Sequence, residues 1–265
     1  MPTRRSTTVE VDPGSVRRKR RRALAALPSL FTLGNMMCGV AAILLAIRGE
    51  YQLAAVLVGI SVVFDITDGA VARLVGSVTP FGLQFDSLAD LVSFGMAPPL
   101  LAFTAFSPVQ DRGDALSWIA CFLWVACAAF RLARFNTTID PTADKRYFTG
   151  LPSPGAAGVV IASVWVFARH IHGAAHLWLL PIVIVPALLM VTNLRYRSFR
   201  SLVTPKSRRP YGLIIVGVLL IAGFVIAPGI TGLVIAYGYL CMPVLSPLLT
   251  LLARMVPRRI RDALS

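Results

Sequence analysis

The sequence predicts an all-α, polytopic membrane helix bundle of about eight transmembrane helices, with both termini cytoplasmic. Three observations carry this reading. Of 265 residues, 56% are hydrophobic and only 14% are charged, whereas a soluble domain carries about 25% charged residues. Mean hydropathy is +0.73, and the apolar residues gather into runs near the roughly 20 residues that a spanning helix needs. The Lys and Arg residues between those runs alternate between rich and poor connections, as the positive-inside rule expects.

Eight segments qualify as spans: 28–48, 51–74, 82–106, 115–135, 153–171, 175–194, 211–227 and 230–254. Residues 1–22 are polar and basic and contain Pro2 and Pro13. They read as a disordered tail ending in a short interfacial helix. Residues 23–256 form the transmembrane domain, and 257–265 a second basic tail. The run Arg17 to Arg22 before an apolar stretch imitates a signal peptide. The stretch is long enough to span, however, and no small-residue cleavage site ends it, so it reads as a retained first helix. The basic connections are the N-terminal tail, the region after helix 4 (Arg131, Arg134, Lys145, Arg146), the region after helix 6 (Arg195 to Arg209) and the C-terminal tail. The alternate connections hold Arg48 alone, Arg112 between two aspartates, Arg169 with histidines, and Pro228-Gly229. Trp118 and Trp178 fall near the outer ends of their helices, where an aromatic belt belongs.

Charge composition narrows the partners. There are 26 Lys+Arg against 12 Asp+Glu, a formal net charge of +14. The basic residues sit between apolar runs with no soluble domain to carry a groove, so nucleic acid is not the expected partner. Anionic lipid headgroups are, at about 1 kcal/mol per basic residue near the surface. The cysteines Cys38, Cys121, Cys127 and Cys241 lie in apolar stretches without metal-ligand or disulfide spacing. They read as small buried hydrophobes.

One stretch violates the membrane pattern. Asp65 and Asp68 are three residues apart, and Asp86 and Asp90 four apart, so each pair shares a helix face. Helices 2 and 3 run in opposite directions with a short connection, which puts all four carboxylates at a similar depth. At about 2.5–3.5 kcal/mol for each charge at mid-membrane, four unpaired ones approach the whole stability of a domain, about 5–15 kcal/mol. Arg73 is the sole cation inside this stretch. Divalent ions are the natural compensation, and hard carboxylate oxygens suit Mg²⁺ or Mn²⁺. Mg²⁺ usually shares its ligands with substrate phosphates, and two ions about 3.5–4 Å apart can hold both the attacking and the leaving oxygens of a displacement at phosphorus. Gly69 and Ala72 leave the acidic face without bulk, and Gly82 lets helix 3 approach closely.

The run from Asp65 to Asp90 resembles the signature of the CDP-alcohol phosphatidyltransferase family, D-x2-D-G-x2-A-R-x8-G-x3-D-x3-D, and matches its eight fixed residues across 26 positions. The resemblance implies a dinuclear site held by Asp65, Asp68, Asp86 and Asp90, contacts to CDP around Gly69 and Arg73, and Asp90 as general base. It also implies a homodimer and a six-helix core, which leaves two helices here as extra.

Other stretches bear on the acceptor. Leu27 to Asn35 opens helix 1, Asp86 to Gly95 continues the acidic motif, Arg131 to Asn136 ends helix 4, and Phe148 to Pro154 leads into helix 5. Together they are similar to the branch of the family that transfers to L-serine, and the similarity covers roughly residues 27–160. It implies CDP-diacylglycerol as donor, touched by Asn35, Gly69, Arg73 and Gly82, and a serine or phosphate subsite at Arg131, Arg134, Asn136 and Ser153. Arg131 and Arg134 share one face and read either as that subsite, suited to a carboxylate or a pyrophosphate, or as ordinary cytoplasmic charge. Asn35 reads either as a donor contact or as a helix–helix hydrogen bond, and Ser153 either as a contact or as part of a helix entrance. Phe148 to Pro154 read either as that entrance or as a cover over the serine pocket. Two competing functions remain open on sequence: the same chemistry with glycerol-3-phosphate or an inositol phosphate, and a divalent-cation transporter. The latter has no need of Gly69, Arg73 and Gly82 at fixed spacing. Orientation and chemistry together suit a plasma membrane with the active site facing the cytoplasm.

Overall fold

The computed structural model describes residues 13–76, 79–107, 115–137, 147–168, 175–197 and 222–255. Its helices are α1 (Pro13–Ile47), α2 (Tyr51–Val75), α3 (Pro80–Asp90), α4 (Ala97–Phe106), α5 (Ala115–Thr137), α6 (Ser153–Phe167), α7 (Ala175–Val191) and α8 (Pro228–Met255). Residues 222–226 are also helical. The predicted spans 51–74, 115–135, 153–171, 175–194 and 230–254 fall on α2, α5, α6, α7 and α8 within a few residues at the ends, 28–48 is the C-terminal part of the longer α1, and 82–106 falls across α3 and α4. The span at 211–227 lies outside the described residues up to residue 221, as do residues 1–12 and the C-terminal tail. The basic run Arg17 to Arg22 lies within α1, which is continuous from Pro13 to Ile47.

Among the described residues, four stretches are long and apolar enough to cross a membrane: Ser29–Ile47, Tyr51–Leu74, Pro80–Phe106 and Ala115–Thr137. Ser153–Phe167, Trp178–Val191 and Pro228–Pro243 are apolar but shorter. The protein is therefore membrane-embedded and helical. The stretch Pro80–Phe106 is its centre, with 61% of the apolar window buried, against 28–33% in the other three. Around it, α1 packs along α2, α5 against α7, and α8 against α6. Phe94, Leu101, Phe106, Trp124, Val160, Val164 and Leu179 form one contiguous buried cluster.

The central span is not one α-helix. Residues Leu91–Met96 form a π-turn between α3 and α4. Pro98 and Pro99, at the start of α4, explain it. Neither proline has an N–H, so the Phe94 carbonyl can find no donor at Pro98 in α register or at Pro99 in π register. The Trp124 indole N–H of α5 takes its place, donating to the Phe94 carbonyl at 3.0 Å.

One feature departs from an all-helical plan. Tyr147–Thr149 (β1) and Arg195–Arg197 (β2) pair antiparallel in a two-stranded ribbon with Phe148 opposite Tyr196. Aromatic residues on a short pleated surface favour this. Gly150 ends β1 at φ +81°. Its N–H donates to the Leu194 carbonyl at 2.8 Å, and a Cβ there would collide with the Met190 and Thr192 carbonyls. Phe148 thus belongs to the ribbon, and Gly150 fixes the entry to α6.

Close approach of α1 to the π-turn needs Gly39, where a Cβ would fall 2.7 Å from the Ser93 Cα. Gly39→Ala is expected to cost about 1–3 kcal/mol through overpacking, seen as a lowered thermal transition in detergent. Gly238→Ala, in α8 with no atom of the described residues within 4 Å of the new methyl, is expected to be neutral or stabilising by about 0.5–1 kcal/mol, because Gly disfavours helices.

Candidate functional site

The acidic site is made by two helix ends that the local sequence fixes. α2 stops at Gly76, whose left-handed φ of 64° lets its N–H bond back to the Ala72 carbonyl. α3 starts at Thr79-Pro80: the Thr79 hydroxyl accepts the Gly82 N–H at 3.0 Å, and Pro80 occupies the first turn, where its missing N–H costs nothing. The acidic faces of α2 and α3 meet through their carboxylates. Asp65, Asp68 and Asp86 bring one carboxylate oxygen each to within 4.8 Å of one another. Asp68 is buried, accepts a hydrogen bond from the Thr32 hydroxyl at 3.0 Å, and faces the Asp86 carboxyl at hydrogen-bonding range. Among the described residues, one oxygen of Asp86 is buried without a hydrogen-bond partner. Three hard oxygen donors, two at mutual contact and one with an unmet oxygen, fit a divalent cation. An aspartate triad able to bind a metal is thus in place.

Asp90 stands apart from that triad. Its Oδ1 accepts a hydrogen bond from the Asn35 amide at 3.0 Å, and its side chain lines the same cavity as the triad. The Asn35 carbonyl in turn accepts the Ser93 hydroxyl at 2.9 Å. Asn35 is completely buried and is not on the cavity wall. Of its two sequence readings, the helix–helix hydrogen bond is the one realised: it holds Asp90 from behind.

The cavity, of about 1370 Å³, is walled by α1, α2, α3, α5, α6 and α8. Gly69, Arg73 and Gly82 are on it. Among the described residues Gly82 faces no neighbouring helix, since a Cβ there would meet only the Thr79 hydroxyl at 3.1 Å. Its expected role in close helix approach is therefore replaced by that of a cap and an open wall. A Cβ on Gly69 would stand 3.3 Å from the Arg73 guanidinium, so the bare backbone and the cation form one surface.

The residues at the end of α5 separate. Arg131 lines the cavity, donates to the Ser153 hydroxyl at 2.6 Å, and lies within Coulomb range of Asp65 and Asp90. Ser153 is completely buried and off the wall, so its contact is to Arg131. Arg134 is turned away, donating to the Asn193 side chain at 2.8 Å, and does not line the cavity. The reason is angular: three residues on a helix leave the pair offset by about 60°, enough to send one inward and the other to the chain after α7. Asn136 is on the wall, and its amide donates to Ser87 at 2.8 Å. Sequence reasoning did not single out Thr32, Ser87 or Tyr239, all of which line the cavity. The spacing of Thr32 to Asn35, one helical turn, was a usable signal for the first. Pro152 and Pro154 also reach the wall.

Comparison with known proteins agrees with this geometry. Residues 25–185 match the family described as CDP-alcohol phosphatidyltransferase. The chain belongs to that family. Among similar proteins is the CDP-diacylglycerol–serine O-phosphatidyltransferase of Helicobacter pylori (strain ATCC 700392 / 26695), 36% identical over 67% of this chain and 74% of that one. The enzyme of the same name from Mycobacterium leprae (strain TN) is 30% identical over 82% of this chain and 73% of its own. An archaetidylserine synthase of Methanothermobacter thermautotrophicus is 36% identical over 64% of this chain and 69% of its own. As a CDP-alcohol phosphatidyltransferase, the chain carries the family's acidic run inside the matched region, whereas α8 lies beyond it.

Metal binding can be tested without turnover. Asp86→Asn is expected to weaken Mn²⁺ binding by at least about tenfold, because it removes an anionic ligand and turns half the carboxylate into a donor. Arg134→Gln is expected to leave it unchanged, as read from the free Mn²⁺ signal by electron paramagnetic resonance.

Proposed function

We propose that this protein transfers the phosphatidyl group of CDP-diacylglycerol to the hydroxyl of L-serine, giving phosphatidylserine and CMP. The observation that carries the reading is that one cavity joins two chemically opposite regions. Its polar end holds the aspartate triad, Asp90, Arg73 and Arg131, and its other arm is lined by Val56, Gly59, Val62, Ile161, Trp165 and Ile235. The span of α2 from Asp65 back to Val56 is about 14 Å at 1.5 Å per residue. A donor with a charged headgroup and two acyl chains needs both regions; a transported cation needs only the first. The names of the similar proteins supply the acceptor.

In this reading Gly69 and Arg73 receive the cytidine diphosphate, its phosphates lying against bare backbone and a guanidinium. Serine enters from the cytoplasm, with Arg131 facing its carboxylate. Asn35 holds Asp90 Oδ1, which leaves Oδ2 to accept the serine hydroxyl proton. The serine oxygen forms a bond to the phosphorus carrying diacylglycerol, the bond from that phosphorus to the bridging oxygen breaks, and CMP departs with the electron pair. Two ions, Mg²⁺ or Mn²⁺, shared by Asp65, Asp68, Asp86 and Asp90, would neutralise the pyrophosphate and stabilise the leaving CMP.

Topology belongs to the same proposal: eight spans, both termini cytoplasmic, a plasma membrane, and an active site facing the cytoplasm. Trp118 and Trp178 support the orientation, being 62% and 55% exposed near the helix ends assigned to the outside. A homodimer is part of the proposal, as is attraction of the basic N-terminal run to anionic headgroups.

The direct test is CMP release from CDP-diacylglycerol by purified protein in detergent with Mg²⁺ or Mn²⁺, comparing L-serine, glycerol-3-phosphate and inositol phosphate. Release with serine alone is expected; release with a phosphorylated alcohol alone overturns the acceptor, and none at all from folded protein overturns the reading. Asp90→Asn is expected to lower turnover about 10²- to 10⁴-fold. Asn35→Ala is expected to lower it about tenfold, the worth of one hydrogen bond to a charged group. Near-normal turnover in the first variant would remove Asp90 as the base.

A further inference from the structure

We propose that the Tyr239 phenol of α8 and the Arg131 guanidinium of α5 form a two-donor subsite for the carboxylate of the amino-acid acceptor, so that a helix outside the family-matched region helps set acceptor choice. The inference rests on the reading of serine as acceptor.

Tyr239 lines the same cavity as Arg131 and Asp90, and its phenol lies within Coulomb range of the guanidinium. The ring is held from two sides. On one side is Tyr196 of β2, completely buried, its ring centroid 5.6 Å away at an interplanar angle of 45°. The Tyr196 hydroxyl donates to the Leu240 carbonyl at 3.3 Å, which ties the ribbon to the residue following Tyr239. On the other side is Gly155. A methyl there would stand 3.0 Å from Tyr239 Cε1 and 3.3 Å from Cδ1, so the absence of a side chain at Gly155 makes room for the ring. Ser153, two residues earlier, accepts from Arg131. The first turn of α6 therefore seats both groups, the guanidinium through Ser153 and the phenol through Gly155. Among the described residues the Arg131 Nε is buried without a hydrogen-bond partner, so the guanidinium keeps donor capacity for an anion.

Charge selects the kind of anion. Arg134, the other cation at the end of α5, is engaged by Asn193 and off the wall. One cation with a neutral phenol donor matches a carboxylate of charge −1 better than a phosphate near −2, particularly beside a cluster of aspartates. The donor's pyrophosphate is the other oxyanion within the same cavity, and the kinetics of the two substrates separate the sources.

The experiment is steady-state CMP release by the full chain with divalent ion, varying serine and CDP-diacylglycerol in turn, for wild type, Tyr239→Phe and Gly155→Ala. Tyr239→Phe is expected to raise KM for serine about tenfold, as for one lost hydrogen bond to a charged group, with kcat and KM for CDP-diacylglycerol within about twofold. Gly155→Ala keeps the hydroxyl but shifts the ring, and is expected to raise the same KM. Ethanolamine, which is serine without its carboxylate, gives a second readout. The preference of the wild type for serine over ethanolamine should shrink in Tyr239→Phe by the factor by which KM for serine rises. An unchanged KM for serine in Tyr239→Phe overturns the proposal, as does a rise confined to CDP-diacylglycerol, which would assign the phenol to the donor. If wild type uses a phosphorylated alcohol and not serine, the functional reading fails and this carboxylate subsite fails with it. If serine is the acceptor and the phenol is silent, only the subsite fails.

Discussion

The constraint on which the rest of the structure depends is the placing of mutually repelling carboxylates inside helices that cross a membrane. Two like charges about 4 Å apart repel by about 4 kcal/mol at an effective dielectric of 20, and Asp65, Asp68 and Asp86 come within 4.8 Å of one another. Summed over the three pairs, the repulsion rivals a domain's net stability of about 5–15 kcal/mol. The Thr32 hydroxyl on Asp68 and the guanidinium of Arg131 offset part of it. The remainder is what a divalent cation held by the triad would offset, so binding such an ion would also stabilise the fold around the acids. The Gly76 stop and the Thr79-Pro80 start then matter as the covalent limit on how far the two acidic faces can spread.

Asp90 is held by a different device. A regular helix running from Asp86 through Phe106 would need N–H groups at positions 98 and 99, where the chain has prolines. The π-turn that results lies directly after Asp90 and presents Ser93 to the Asn35 carbonyl, while the Asn35 amide reaches Asp90. Trp124 closes the same turn from α5. The proline pair thus removes two backbone donors from the span; the Trp124 indole of α5 serves the Phe94 carbonyl in their place, while the Asn35 amide of α1 separately fixes the orientation of the Asp90 carboxylate. On the other side the cavity wall is made of α6 and α8, where Gly155 leaves the ring of Tyr239 its space.

Much of this was legible in the sequence because its main signals are local. The acidic run places its aspartates on common faces by spacing alone, and the apolar runs locate the helices because lipid imposes one period and one length. What stayed hidden depends on rotation and on distant partners. Arg131 and Arg134 look equivalent on a helical wheel, yet one meets Ser153 and the other Asn193, and nothing within α5 says which. Asn35 was legible as a polar residue in a span, but its partner is 55 positions away. The ribbon at Tyr147–Thr149 is three residues long, too short for any periodicity. Tyr239 sits in a helix that reads as generic apolar chain, and only the glycine opposite it, in another helix, shows that space was kept for its ring.

The layout also explains why such a reaction needs a cavity with two unlike ends. Two acyl chains strongly oppose transfer to water, at about 0.8 kcal/mol per methylene, while a zwitterionic amino acid opposes entry into hydrocarbon. The reacting phosphorus must therefore meet the hydroxyl where the two media adjoin. The aspartates lie in the last turns of α2 and in α3, toward one end of those helices, and the apolar arm runs away from them along α2, α6 and α8. Moving the acids one helical turn toward the middle would bury the headgroup site where charge is hardest to compensate. Moving them one turn outward would open the reacting bond to water as a competing nucleophile. In the proposed reaction, the spacing of the acidic run relative to the apolar run of α2 would thus matter as much as the donor set that the acids offer a metal.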